Sequence, residues 1–304
     1  MGNCFRKTDY LESYLNRVYE EKCAFLASDE EVEFIKTGIE TLAKNMVGSI
    51  QQNLMKDDVN LSDKKGLQKK LQDDKNADID LLKTEHISIE LDNVRNKNDL
   101  IKVGSFYDGT KNTFPDEFDI IFLVSRLDGH HPICSLFETF DDTLKYISPD
   151  EHSKRELYFD KYLGQHGPAF MSQFIYKNDP TSKFSTSKIP IHVDLVPAIR
   201  YVTSGDTNRD EFNEIVNNVN PKSFREEVLK RGDCLRINTV LGYTFTDTEL
   251  HFIKNVISPK HVKVLKILKF LINGDGDDKI LEYDLNLKNE NVGYSSYQIK
   301  FKLF

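Results

Sequence analysis

A chain of 304 residues is long enough for one large domain or two ordinary ones, and 39% apolar residues, with 20 Phe and 13 Tyr, can fill a real core. Charged residues at 30% describe a soluble globular chain and exclude a disordered one, while a net charge of −8 disfavours a phosphate backbone as partner across the whole surface and leaves room for a local basic patch. No stretch approaches the roughly 18 apolar residues of a membrane span and no signal-peptide core follows Met1, so the expected compartment is the cytoplasm.

The first nine residues, MGNCFRKTD, read as a segment of their own. Gly2 is an acceptor for myristoylation once Met1 is removed, and Cys4 an acceptor for a second acyl chain; Arg6 stands where Ser or Thr is usual. One myristoyl chain anchors only marginally, so peripheral membrane association would need acylation of both Gly2 and Cys4, helped by Arg6 and Lys7. An ordinary frayed terminus is the alternative.

Two helices follow, YLESYLNRVYEEKCAFL and SDEEVEFIKTGIETLAKNMVGSIQQNLM. In the second, Ser28 and Glu31 make a capping box, and Ile35, Ile39, Leu42, Met46 and Ile50 recur at helical spacing. Residues 56–92 mix both charges with few large apolar groups and read as an exposed insertion or a surface helix. Strand signals dominate from Ile101 to about Ile199, around loops such as DGHHP and KNDPTSK. Helical patterns return near Asp210, and SPKHVKVLKILKFLING is a helix with Ser258 as cap, Pro259 at its first position and Gly274 as stop. The stretch NGDGDDKILEYD fails as a calcium loop, because Ile280 occupies the position that needs glycine and Lys279 a ligand position. The adjacent His130 and His131 read as a loop rather than a metal site. Cys4, Cys23, Cys134 and Cys234 form no CxxC pair and read as free thiols in a reducing compartment.

One stretch carries chemistry: GSFYDGTKNTFPDEFDII, Gly104 to Ile121. Side chains at i and i+2 of a strand share a face, so Glu117 and Asp119 point the same way ahead of the apolar run IIFLV. Two carboxylates at the edge of a dry core repel one another, and a divalent cation is a natural neutraliser; oxygen-only ligands favour magnesium or manganese. Gly104 lets a backbone approach a phosphate, and Ser105 can donate to it. A third carboxylate comes from IPIHVDLVPAI, where Ile191, Val193 and Leu195 share one face and His192 and Asp194 the other. Taken singly, an E-x-D on a strand is usually a solvated edge, Lys269 beside Lys263 and Lys266 a solvated basic face, and Thr244 and Thr246 an ordinary strand alternation. Together, Gly-Ser, E-x-D and a distant strand Asp suggest phosphoryl or nucleotidyl transfer.

The joint pattern resembles the polymerase-beta-like nucleotidyltransferases, and more closely cyclic GMP-AMP synthase and the related receptors of animals. VGSFYDGTKNTFPDEFDIIFLV is similar to their active-site segment, HVDLVPAI to their third metal strand and TFTDTELHFI to the segment lining the nucleotide pocket. VLKILKFLI is similar to their phosphate-binding lysine helix, and YSSYQIK to the segment whose tyrosine stacks on a base. The resemblance implies an α+β fold with a twisted mixed sheet, an N-terminal helical spine and a C-terminal helical lobe. Residues 10–209 would form the nucleotidyltransferase core, with the charged insertion near 56–92, and 210–304 the lobe, expected to be incomplete at its C-terminal end.

The resemblance also implies that Glu117, Asp119 and Asp194 hold two Mg2+ or Mn2+ ions, with Asp194 helping to activate a ribose hydroxyl. Gly104 and Ser105 would hold a triphosphate, Lys269 and Ser296 phosphate oxygens, and Tyr297 a base by stacking. Thr244, Thr246, Glu249 and Lys300 would complete the nucleotide site. The expected activity is synthesis of a cyclic dinucleotide second messenger from ATP, GTP or other nucleoside triphosphates, in innate immune sensing. Gly242 stands where the family has a guanine-reading arginine, so the bases stay open. LHFIKNVISPKHVK joins two motifs that the vertebrate enzyme separates with a zinc insertion, so no zinc is expected. Without it, double-stranded RNA becomes the candidate activator, with Lys64, Lys65, Lys69 and Lys70 as a basic patch. The alternatives are a catalytically inactive relative acting as a binding or developmental protein, and a different transferase such as an RNA-end modifier.

Overall fold

A computed structural model describes residues 2–72, 100–124, 133–150, 153–178, 188–202, 209–217, 219, 222–231, 233–237 and 243–273. His130 and His131, Gly242, the calcium-loop stretch from 274 onward, and Ser296, Tyr297 and Lys300 lie outside the described residues.

The first helix, α1 (Gly2–Lys22), begins inside the segment that the sequence sets apart, so residues 2–9 continue into it without a break. The second, α2 (Asp29–Gln72), starts at the expected capping box. The Glu31 N–H donates to Ser28 Oγ at 3.3 Å, and the Ser28 N–H to a Glu31 carboxylate oxygen at 3.2 Å. Ile35, Ile39, Leu42, Met46 and Ile50 are all buried, at 1% exposure or less. The helix continues through Gln72, so the first part of the charged insertion is helical rather than irregular.

After it come β1 (Ile101–Val103), the single turn α3 (Gly104–Tyr107), β2 (Glu117–Leu123), α4 (Ile133–Phe137), β3 (Lys145–Ile147) and the hairpin β4 (Glu156–His166) and β5 (Ala169–Lys177). The long β6 (Ile189–Val202), α5 (Arg209–Asn217), α6 (Lys222–Arg231), β7 (Asp233–Arg236), β8 (Tyr243–Thr244), α7 (Thr246–Asn255) and α8 (Pro259–Asn273) complete the chain. The fold is α+β with a curled mixed sheet. Its strand order is β1-β2-β6-β5-β4-β3, with β7 pairing both β6 and β8. Only β2 and β6 run parallel among the described strand pairs; the others are antiparallel.

The alternation along β2 and β6 fixes the two faces of the sheet. Phe118, Ile120 and Phe122 of β2, with Ile191, Val193 and Leu195 of β6, pack against the apolar stripe of α2 in the main core. Burying each such side chain is worth about 1.5–3 kcal/mol, so this contact layer stabilises the sheet. Gly38 lets the helix come close: a Cβ there would lie 2.9 Å from both Leu157 Cδ2 and Tyr146 Cδ1. The alternate residues of β2 and β6 face away from α2, where Ile121 and Ala198 join Val103 and Leu235 in a smaller cluster.

Two further clusters complete the packing. Phe212, Val216, Phe224, Val228, Cys234 and Phe252 join α5, α6, β7 and α7. The region read as a helical lobe therefore also contributes the strands β7 and β8, which extend the sheet. Val18 and Cys23 meet Ile267, so α8 packs on α1.

Candidate active site

Backbone geometry comes first. Phe118 and Val193 point to α2, so Glu117, Asp119, His192 and Asp194 all belong to the opposite face. In the parallel pairing Asp119 stands directly beside Asp194, and Glu117 beside His192. Two of the three acids expected to act together are thus register neighbours, and the third is two residues away on the same face.

The turn α3 abuts this face. Gly104 has φ +80°, and a Cβ on it would sit 1.8 Å from Asp119 Oδ2. Only glycine leaves room for the carboxylate against the backbone, and only glycine takes this φ without cost. Ser105 is buried, and its carbonyl accepts the N–H groups of Thr110 at 2.9 Å and Lys111 at 2.8 Å. Asp108 Oδ1 closes the loop by accepting from the Thr110 N–H at 2.9 Å and the Thr110 hydroxyl at 2.6 Å. The loop is also held from α8. Lys269, buried at 8% exposure, donates from Nζ to the Thr110 carbonyl at 3.1 Å, and Asn112 Nδ2 donates to the Lys266 carbonyl at 3.0 Å.

Charge follows from this packing. Lys111 Nζ lies 2.8 Å from Asp116 Oδ1 and 2.9 Å from Glu117 Oε2. Burial alone would raise the Glu117 carboxyl, but Lys111, aided by Lys269 and His192, holds it below the usual range. Asp194 moves the other way: burial, then the Glu117 charge, raises it, against the smaller pull of His166 and His192. Burial also pushes the Tyr107 hydroxyl far up, helped by the carboxylates of Glu40 and Asp119.

Thr244 ends β8, and Thr246 opens α7, which packs beside β1 and α3. A strand alternation over Thr244 and Thr246 therefore does not hold, because the helix starts between them, with Phe245 as its cap residue. The Thr246 hydroxyl is buried without a hydrogen-bond partner among the described residues. Glu249 lies one turn further along α7.

The structure thus gathers Gly104, Ser105, Glu117, Asp119, Asp194 and Lys269 around one loop, with Thr246 and Glu249 on the neighbouring helix. Two residues that sequence reasoning passed over belong to it. The Thr110 carbonyl accepts from Lys269, and Lys111 donates to Glu117. Their one signal was a lysine in a polar loop just ahead of two carboxylates that need a counter-charge. Among the described residues, no group of three or more His, Cys, Asp or Glu is arranged to hold a metal ion, and Glu117 is taken up by Lys111. The donor chemistry nonetheless suits a hard cation: the three acids share one face, and the Asp194 carboxyl is raised first by burial and then by the Glu117 charge, both of which a cation would offset. Compared with protein-family models and with curated proteins, the chain matches none.

Proposed function

We propose that the chain is a polymerase-beta-like nucleotidyltransferase of the kind that makes cyclic dinucleotides, as its resemblance to cyclic GMP-AMP synthase and the related animal receptors implies. The observation that carries this reading is the pairing of Asp119 beside Asp194, on the sheet face that abuts the Gly104–Ser105 turn.

In this reading Glu117, Asp119 and Asp194 hold magnesium or manganese, which supplies charge neutralisation at the reacting phosphate. The Gly104–Ser105 turn cradles the triphosphate of one nucleotide. Lys269 presents its ammonium to phosphate oxygens, and Thr246 and Glu249 line the nucleotide. Asp194, beside Asp119 on the same face, accepts the proton of the attacking ribose hydroxyl. That oxygen bonds to the α-phosphorus of the second triphosphate, the bond to the β-phosphate breaks, and pyrophosphate leaves. A second such step within the linear product closes the ring. Double-stranded RNA, meeting Lys64, Lys65, Lys69 and Lys70 on the extension of α2, is the proposed activator.

A second reading, a binding protein without catalysis, is favoured by one contact, the Lys111–Glu117 pair. Incubation with the four ribonucleoside triphosphates, magnesium or manganese and a panel of nucleic acids separates the two. The enzyme reading expects pyrophosphate and a nuclease-resistant cyclic product, both lost in Asp119→Asn and Asp194→Asn. No product under any activator, from folded protein that still binds triphosphates, leaves the binding reading.

A further inference from the structure

Lys111 has no role in the chemistry described above, yet its ammonium is paired with two carboxylates, Asp116 and Glu117. Resting on the metal-site reading, we propose that Lys111 is a resident counter-ion of the acidic site. Its ammonium occupies the cation side of Glu117, and a divalent ion engages Glu117 fully only when the 108–113 loop lets Lys111 go.

The geometry is specific. The Lys111 side chain is 16% exposed and lies within 2.9 Å of two carboxylates, Asp116 and Glu117. Burial would lower its pKa, but the hydrogen bonds and charges of the two carboxylates more than offset this and favour the ammonium. A dication approaching Glu117, whose side chain is half-exposed, therefore meets a like charge held 2.9 Å from that carboxylate, with the repulsion partly screened by solvent.

The loop that carries Lys111 is tied at three points. The Lys111 N–H itself donates to the Ser105 carbonyl at 2.8 Å, which couples the ammonium to the Gly-Ser turn. On the α8 side, Thr110 accepts from Lys269 and Asn112 donates to the Lys266 carbonyl. At the junction of α1 and α2, the Thr113 carbonyl accepts the Leu26 N–H at 2.8 Å. Thr113 has φ +63°, a left-handed conformation that a β-branched residue adopts only when its surroundings impose it. A partner that shifts α1 or α8 thus pulls on the loop and on Lys111. Binding elsewhere thereby switches metal uptake at the acids.

The test is a titration of the full chain with Mn2+, free of nucleotide, followed by electron paramagnetic resonance. Lys111→Met is expected to bind Mn2+ on the order of tenfold more tightly than the unaltered chain, since one opposing charge is gone. Lys111→Arg, which keeps the charge, is expected to bind as the unaltered chain does. Equal affinity in the unaltered chain and Lys111→Met, with binding still abolished by Asp119→Asn, overturns the counter-ion role and leaves the metal site standing. Binding unaffected by Asp119→Asn overturns the metal-site reading itself, and this inference with it.

Should Lys111→Met fail to fold, acylation of the unaltered chain gives a second measurement. Acetic anhydride should modify Lys111 slowly without metal and several-fold faster with saturating Mn2+. An unchanged rate while Mn2+ is bound also overturns the proposal.

Discussion

Alanine at Gly104, set beside alanine at Gly109, separates two costs that are usually entangled. Both glycines hold left-handed conformations, with φ +80° and +78°. At Gly109 an added Cβ meets nothing within 4 Å, so its cost is that of a side chain at positive φ, about 1–2 kcal/mol. At Gly104 the same Cβ would lie 1.8 Å from Asp119 Oδ2, 2.6 Å from Cγ and 2.9 Å from Cβ. An ordinary carbon–oxygen contact is about 3.3 Å, so the carboxylate must retreat by roughly 1.5 Å. Rotation of the carboxylate alone does not relieve it, because the Asp119 Cβ is crowded as well and strand β2 must move. Such overpacking adds about 1–3 kcal/mol, giving about 2–5 kcal/mol in all for Gly104→Ala. In a chain of this size 1 kcal/mol moves Tm by about 2–4 °C. Thermal melts followed by circular dichroism should therefore drop by about 2–8 °C for Gly109→Ala and roughly 4–20 °C for Gly104→Ala. Equal drops in the two variants would refute the idea that Asp119 rests on the Gly104 backbone.

The other expectations concern charge and burial. Asp194 has a raised carboxyl, so the folded protein binds the proton more tightly than the unfolded chain, and the resulting penalty is present at neutral pH and absent below about pH 4. Asp194→Asn should therefore raise Tm near pH 7, with the gain shrinking as pH falls; a gain that grows towards low pH contradicts the burial argument. Glu117, held low chiefly by Lys111 against the effect of burial, behaves in mirror image: Glu117→Gln should lose stability above the ordinary glutamate value, with the loss fading as pH falls from there through the lowered folded value, in the same melts. Lys269→Met removes the donor to a fully buried carbonyl at Thr110 and should cost about 1–3 kcal/mol; an unchanged Tm would mean that water takes the place of the lysine. Cys23 is fully buried and its thiol is raised by burial against the pull of Lys266, so iodoacetamide at pH 8 should leave it unmodified until urea unfolds the chain, as peptide mass mapping can show.

Some of this architecture was legible because local rules and global packing agree. The Ser28–Glu31 box and the stripe from Ile35 to Ile50 mark the start and the buried face of α2, and both hold in three dimensions. The apolar run behind Glu117 reads as a strand covered on both sides, and β2 is one, with α2 on one face and the Val103–Leu235 cluster on the other. The extent of α2 was less legible. Beyond Met55 no apolar period continues in the sequence, and a helix without such a period leaves little trace beyond its charge. At Thr246 the alternation of small polar residues suggested a strand, but the chain turns into α7 at that point.

The pairing of Lys111 with Glu117 lay beyond sequence for a different reason. Two carboxylates on one strand face demand positive charge, and that demand can be read from Glu117 and Asp119 alone. It does not say which cation answers. A metal and an ammonium satisfy the same electrostatics, and only the path of the 108–113 loop, folded back so that Lys111 donates to the Ser105 carbonyl, brings the ammonium within 2.9 Å. The two compete for Glu117 Oε2, the oxygen that Lys111 holds. In the metal-site reading, how fully a cation engages Glu117 therefore turns on the path of that loop as well as on the acids.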